Sequence, residues 1–327
     1  MMDSSSDWRP VPAGRDDVEA YRALLDRLKD SHVRDLAWAI GSPSLIDPGF
    51  PGFRGRVVDD AYCGEQLAAA SGWLMALDKA PGPLHEYLRR HESSRLGRYF
   101  ERLVEFWLLN RGDVEELSAG EPVRRGAHNT LGEYDFIFRE KGQWRHWETV
   151  VKYYLQDPKG EGWHDYVGPG AQDRLAIKID RVFERQLALS LTPEGRQVLG
   201  GRQPISPFAF FKGYLFSHAM DAGVPPPGVS PRHLSGWWCR AGGPLPFLRE
   251  DSRWRVLPRL RWLSPCLIDD DGRHCSLEEM AAFMDGHFAS SAEPVLAAEL
   301  AARPDGSLAE ISRGFVVGPD WPGRDSE

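Results

Sequence analysis

Cysteine is scarce in this chain: four among 327 residues, with no CxxC pair. A chain this long needs no disulfide staples, so the thiols are expected to be buried or incidental. Cys239, Cys266, His274 and Cys275 have the wrong spacing for a zinc site. Also missing is any run of eighteen apolar residues, so no membrane span is expected. The opening MMDSSSDWRPVPAGRDD has no apolar core of a signal peptide, which makes a cytoplasmic location the expectation. Nor is there an excess of base. Forty Lys and Arg face 48 Asp and Glu, a formal net charge of −8. A bulk electrostatic nucleic-acid binder would be basic, so any such contact must come from a local patch. P-loop, GxGxxG and GxSxG motifs are absent, as are internal repeats and low-complexity tracts.

What remains is ordinary globular composition, 42% hydrophobic and 27% charged. Residues 1–15 read as a loose tail and 16–83 as a helical N-terminal segment, with helices over 16–40 and 63–79 around a turn-rich stretch, 41–53. From 84 to 110 the pattern is strongly helical, and Phe100, Leu103, Val104, Trp107 and Leu108 form one apolar stripe. Glu101 and Glu105 flank it. Three strand-like pieces follow, at 114–125, 133–139 and 143–154, with a hairpin turn at Lys141-Gly142. A loop (156–171), a helix (172–190) and a buried strand (206–216) complete this stretch. Helix, three strands, helix and strand predict an α/β fold, a mixed sheet flanked by helices over 84–217. An α+β extension is expected over 218–303, with strands near GWWCR and WRVLPRLRWL and helices near 277–287 and 292–302. Ser276 and Glu279 spell a capping box for the first of these helices. Residues 304–327 read as an irregular tail.

The chemistry-bearing text is Gly132-Glu133-Tyr134-Asp135, the hairpin, then Glu148 and Lys152. Asp135 lies six residues before Lys141 and Glu148 six after Gly142, so a two-residue hairpin sets them near each other. Alternation places His146, Glu148, Val150 and Lys152 on one strand face. Converging carboxylates are costly without compensation, and oxygen donors suit Mg²⁺ or Mn²⁺. Such an ion activates water, and a lysine stabilises charge developing on a phosphate. Asp135 and Glu148 are therefore the candidate metal ligands. Glu101 is a further candidate ligand, and Lys152 is the candidate charge-stabilising group. Arg174, Lys178, Arg181 and Arg185 are spaced four, three and four on the next helix, a basic stripe able to track a nucleic-acid backbone. A solvated face balanced by Asp180 and Glu184 is the plainer alternative. For His146 a neutral, hydrogen-bonded role is expected.

This arrangement resembles the PD-(D/E)XK nuclease superfamily, the restriction-endonuclease-like fold, over roughly residues 84–217. Gly132-Glu133-Tyr134-Asp135 is similar to the GExD start of its motif, and Gln186 to a polar residue some members carry on the same helix. The resemblance implies a Mg-dependent nuclease, or a descendant of one. One position departs. The superfamily's lysine stands two residues after the glutamate, where this chain has Val150, and Lys152 lies about 6–7 Å further along. The chain also resembles a bacterial family described as domain of unknown function 1853, through VRDLAWAIGSPSLI, LGRYFERLVEFWL, TLGEYDFIF, HWETVVKYYL, VGPGAQDRLAIKIDR, FKGYLF, HLSGWW and WRVLPRLRWLSP. Besides a nuclease, the residues leave open a non-catalytic module binding nucleic acid or protein. A glycosidase using Asp135 and Glu148 as its acid pair is a third reading.

Overall fold

A computed structural model describes residues 15–126, 129–158, 160–243, 252–268 and 272–323. Most of the expected loose tail and the last four residues fall outside these ranges.

The helices are α1 (Arg15–Arg27), α2 (Ser31–Gly41), α3 (Asp60–Lys79), α4 (Gly82–Arg90), α5 (Leu96–Leu109), α6 (Leu175–Asp180), α7 (Pro193–Leu199) and α8 (Leu277–Phe288). The strands are β1 (Val114–Arg125), β2 (Asn129–Glu140), β3 (Gln143–Gln156), β4 (Tyr166–Val167), β5 (Ile205–His218), β6 (Leu234–Arg240), β7 (Arg253–Val256), β8 (Leu267–Ile268), β9 (Val295–Ala302) and β10 (Leu308–Val317). The helix expected over 16–40 is two helices. Asp30 accepts from the N–H groups of His32 and Val33, both at 3.0 Å, and so starts a new one. The long pattern over 84–110 likewise breaks at 91–95 into α4 and α5.

Lys141 and Gly142 both adopt positive φ, 50° and 75°, the left-handed pair that a two-residue hairpin turn demands. They set the β2–β3 register, Glu140 opposite Gln143 through Phe136 opposite Trp147. The sheet runs β1-β2-β3-β5-β6-β10-β9-β7, with β4 on β3 and β8 on β10. β1, β2 and β3 are antiparallel, whereas β3, β5 and β6 run parallel. One face carries the helices α2, α3 and α5, whose Leu36, Trp38, Phe100, Leu103 and Trp107 pack with Trp147 and Phe210. On the other, Val150, Tyr154 and Phe211 meet Leu175, Val182 and Phe183. Burying a large apolar side chain contributes about 1.5–3 kcal/mol, so these two layers hold the sheet. No helix among the described residues is long and apolar enough to cross a membrane.

Two expectations are corrected. Residues 292–302 are not a helix: 295–302 form β9. VLAAELAA is rich in helix formers, but propensity is a weak prior. Val295 through Leu300 are all buried, with β10 on one side and β7 on the other. Nor are residues 304–327 irregular throughout, because β10 pairs with β6, β8 and β9 inside the sheet. The capping box of α8 forms as read: Ser276 Oγ accepts from Glu279 N–H at 3.2 Å, and Glu279 accepts from Ser276 N–H at 2.8 Å.

Candidate functional site

The β2–β3 ladder stops at Phe136 and Trp147. Beyond it, β2 continues along β1 while β3 continues along β5. Asp135 and Glu148 are the first residues past the fork. The opening is a cleft of about 650 Å³ lined by Asp135, Glu101, Glu133, Arg98, Arg181 and Gln186, among others.

Glu148 is fully buried. His146 Nε2 hydrogen-bonds its Oε1 at 2.8 Å, and Gln186 Nε2–H donates to its Oε2. Burial is the main reason its carboxyl is pushed up to about 8. Asp135 Oδ2 accepts from the Thr149 N–H at 2.8 Å and the Thr149 hydroxyl at 3.1 Å. Burial and then the Glu148 charge raise Asp135 to about 7. The Glu148 charge acting on Asp135 fits two carboxyls set near each other just past the fork. His146 is also fully buried, and loss of hydration drives it down to about 4, so the ring is neutral at pH 7. Its Nδ1 has no hydrogen-bond partner among the described residues.

The expected site residues distribute unevenly. Glu101 enters the cleft from α5. Burial and the nearby Asp135 raise its carboxyl, against the pull of Arg98, which donates to it at 2.7 Å. Glu105 pairs instead with Arg102. Lys152 binds Asp173, which also accepts from the Tyr154 hydroxyl at 3.1 Å. Val150 is core, packed with Leu175 and Ile179. The basic stripe divides. Arg181 and Arg185 line the cleft. Arg174 stands just before α6 and donates to His164 O at 3.1 Å.

Lys178 faces inward. Its Nζ donates to Gln186 Oε1 at 3.4 Å. Burial and the neighbouring Lys152 lower its pKa, while Asp135 and Glu148 hold it up. The ammonium nearest in influence to the two carboxyls is thus on the helix, not on β3. Its approach depends on backbone shape. After α6 the chain widens into a π-helical stretch, Arg181–Gln186, then tightens to 3₁₀ over Leu187–Leu191. π segments inside helices recur at functional sites. Here the stretch carries Gln186 to Glu148 while Val182 and Phe183 stay in the core.

Sequence reasoning did not single out Arg98 or Thr149. Arg98 is three residues before Glu101, and Thr149 is diagonal to Asp135 across the hairpin, so both had positional signals. The donor chemistry suits a hard divalent ion, because Asp135, Glu148 and Glu101 offer only carboxylate oxygens. Among the described residues, however, no group of three or more His, Cys, Asp or Glu stands ready to hold a metal. Glu101 shares the cleft with Asp135 but is tied to Arg98.

Comparison with curated proteins finds no match, and comparison with solved structures finds none either. The family model described as Domain of unknown function (DUF1853) matches residues 34–317, so the stretch that builds this sheet and cleft is the family's own, and the chain belongs to that family.

Proposed function

We propose that the cleft hydrolyses phosphodiester bonds of nucleic acid with Mg²⁺ or Mn²⁺, on a restriction-endonuclease-like core. The observation that carries this reading is the pair of half-buried Asp135 and fully buried Glu148, held protonated up to about 7 and about 8, with the Lys178 charge acting on both. Two acids kept at such expense are relieved by a cation. The order α5, β1–β3, α6 and β5 supports it, being the order that the superfamily resemblance implies.

Asp135 and Glu148 would hold the ion, with Glu101 completing the set. A bound divalent ion would supply Lewis-acid stabilisation and lower the pKa of an attacking water. Thr149 orients the Asp135 carboxyl, and Gln186 and His146 orient that of Glu148. Lys178 carries positive charge to where a phosphoryl group becomes more negative. Arg181 and Arg185 offer phosphate contacts along the cleft. A cytoplasmic location belongs to the same reading.

The test is calorimetric titration of Mg²⁺ and Mn²⁺ into the wild type and Asp135→Ala, then digestion of single- and double-stranded DNA and RNA. Binding lost in the variant, with metal-dependent cleavage by the wild type, is expected. Metal-independent cleavage, or none with any substrate at saturating metal, refutes it.

A second reading is a non-catalytic module that keeps the fold and binds nucleic acid or protein. Its support is specific: Val150 fills the lysine slot as core, and Lys152 is committed to Asp173. Nucleic-acid retention without cleavage, unchanged in Asp135→Ala and weakened in Arg185→Gln, selects it.

A further inference from the structure

Away from the cleft, the sheet forks a second time. β10 pairs with β8 at Leu308 and Ala309, and with β6 from Gly314 to Val317. Between these stretches Ile311, Ser312 and Arg313 have no strand beside them on that edge among the described residues. The β9 ladder also skips Ile311, a bulge of the kind that gathers beside functional sites. β6 meanwhile follows β5, with Leu234 opposite Tyr214. α1 and the residues leading into β8 close the gap over a cavity of about 430 Å³. That falls within the roughly 300–1,000 Å³ of ordinary small-ligand pockets.

Arg34 lines this cavity from α2 and is only 5% exposed. Its NH1 donates to Lys29 O at 3.1 Å, but its buried Nε has no hydrogen-bond partner among the described residues. The carboxylates in the same wall are engaged elsewhere. Glu310 accepts from Arg313 NH2 at 2.9 Å and from the Cys266 N–H at 2.7 Å, and Asp26 pairs with Arg303. Arg34 is therefore a buried guanidinium without a counter-ion among the described residues, which is costly. A second polar group is orphaned in this wall. The Tyr21 hydroxyl, on α1, is buried without a hydrogen-bond partner among the described residues. Burial raises it well above its ordinary value, Tyr214 adds to this and Arg313 opposes it, so the hydroxyl stays protonated and lies toward the side those two residues line. Leu25, Leu234, Leu267 and Ile311 supply apolar wall. One uncompensated cation, a hydroxyl donor and apolar surface fit a monoanion with an apolar body. A guanidinium fork matches a carboxylate through two parallel N–H···O bonds. A phosphate dianion would bring more negative charge than Arg34 neutralises.

We propose that this cavity binds the carboxylate of a small apolar organic acid, with Arg34 and Tyr21 as its donors. The site does not depend on what the cleft does. The test is metal-free calorimetry of the full chain with hexanoate and benzoate, and with hexanol and inorganic phosphate as controls. Wild type, Arg34→Gln and the cleft variant Arg185→Gln are compared. Saturable binding of at least one acid at a single site is expected in wild type and Arg185→Gln. In Arg34→Gln it is expected to be about tenfold weaker or more, because the charged donor is lost. If Arg34→Gln does not fold by circular dichroism, Tyr21→Phe decides, with binding about threefold weaker or more. No saturable binding of either acid by wild type overturns the proposal. So does hexanol binding as tightly as hexanoate, phosphate displacing the acid, or equal acid affinity in wild type and the deciding variant.

Discussion

At the residue scale, the cleft is written in protonation. Unfolded carboxyls ionise near pH 4, whereas Asp135 and Glu148 in the fold do so near 7 and 8. Between these values the unfolded chain binds fewer protons, so this pair makes the metal-free protein less stable as pH rises from about 4 to about 8. His146 acts oppositely. The unfolded ring takes up a proton below about 6.5, which the buried ring refuses until about 4, so its contribution is lost as pH falls through that window. Comparing variants separates the two. Asp135→Asn keeps an oxygen for Thr149 and removes the charge. It is expected to raise stability by about 2 kcal/mol at pH 8 and far less at pH 5, since one pKa unit is about 1.4 kcal/mol. Urea melts at both pH values check this, and an equal gain at both would refute it. Lys178→Met should push the Asp135 and Glu148 titrations further upward, by loss of a neighbouring positive charge, readable by carboxyl NMR. An unchanged titration would mean that Lys178 does not serve the pair.

At the scale of elements, turn and ladder geometry give sharper tests. Lys141 holds φ at 50°, a value that asparagine tolerates better than lysine. Lys141→Asn is expected to stabilise by about 0.5 kcal/mol in denaturant melts; a loss would show that the lysine side chain matters more than the turn. Gly213 sits opposite Lys152 in the parallel β3–β5 ladder with φ of 144°. A Cβ there would lie 1.8 Å from Lys152 O, a backbone atom that cannot swing aside. Gly213→Ala should therefore cost more than about 3 kcal/mol, and a loss below 1 would mean that the strands can part locally. The hairpin and its register were legible in the sequence because period-two alternation and a two-residue turn are local signals. The π-helical widening at Arg181–Gln186 was not. No short-range pattern marks where a helix gains a residue, and it arises here where Val182 and Phe183 must stay buried while Gln186 reaches Glu148.

On the scale of the whole molecule, the C-terminal residues belong to the sheet and not to its margin. β10 lies between β6 and β9, so a chain ending at residue 303 would leave both strands without their shared neighbour. Such a truncation is expected to show no cooperative thermal transition by circular dichroism. A native-like melt would mean that the core holds without β10. The sequence alone determined the mixed α/β class, the helix–three strands–helix–strand order, the hairpin register that pairs Asp135 with Glu148, and the capping box of α8. Each of these rests on contacts within a few residues or on side-chain periodicity. Only the tertiary structure decided that VLAAELAA is a strand, that the charge of Lys178 rather than Lys152 acts on the two carboxyls, and that β10 joins the sheet. Those outcomes depend on which distant segments are buried together, and burial overrides local propensity whenever an apolar face finds a partner far along the chain.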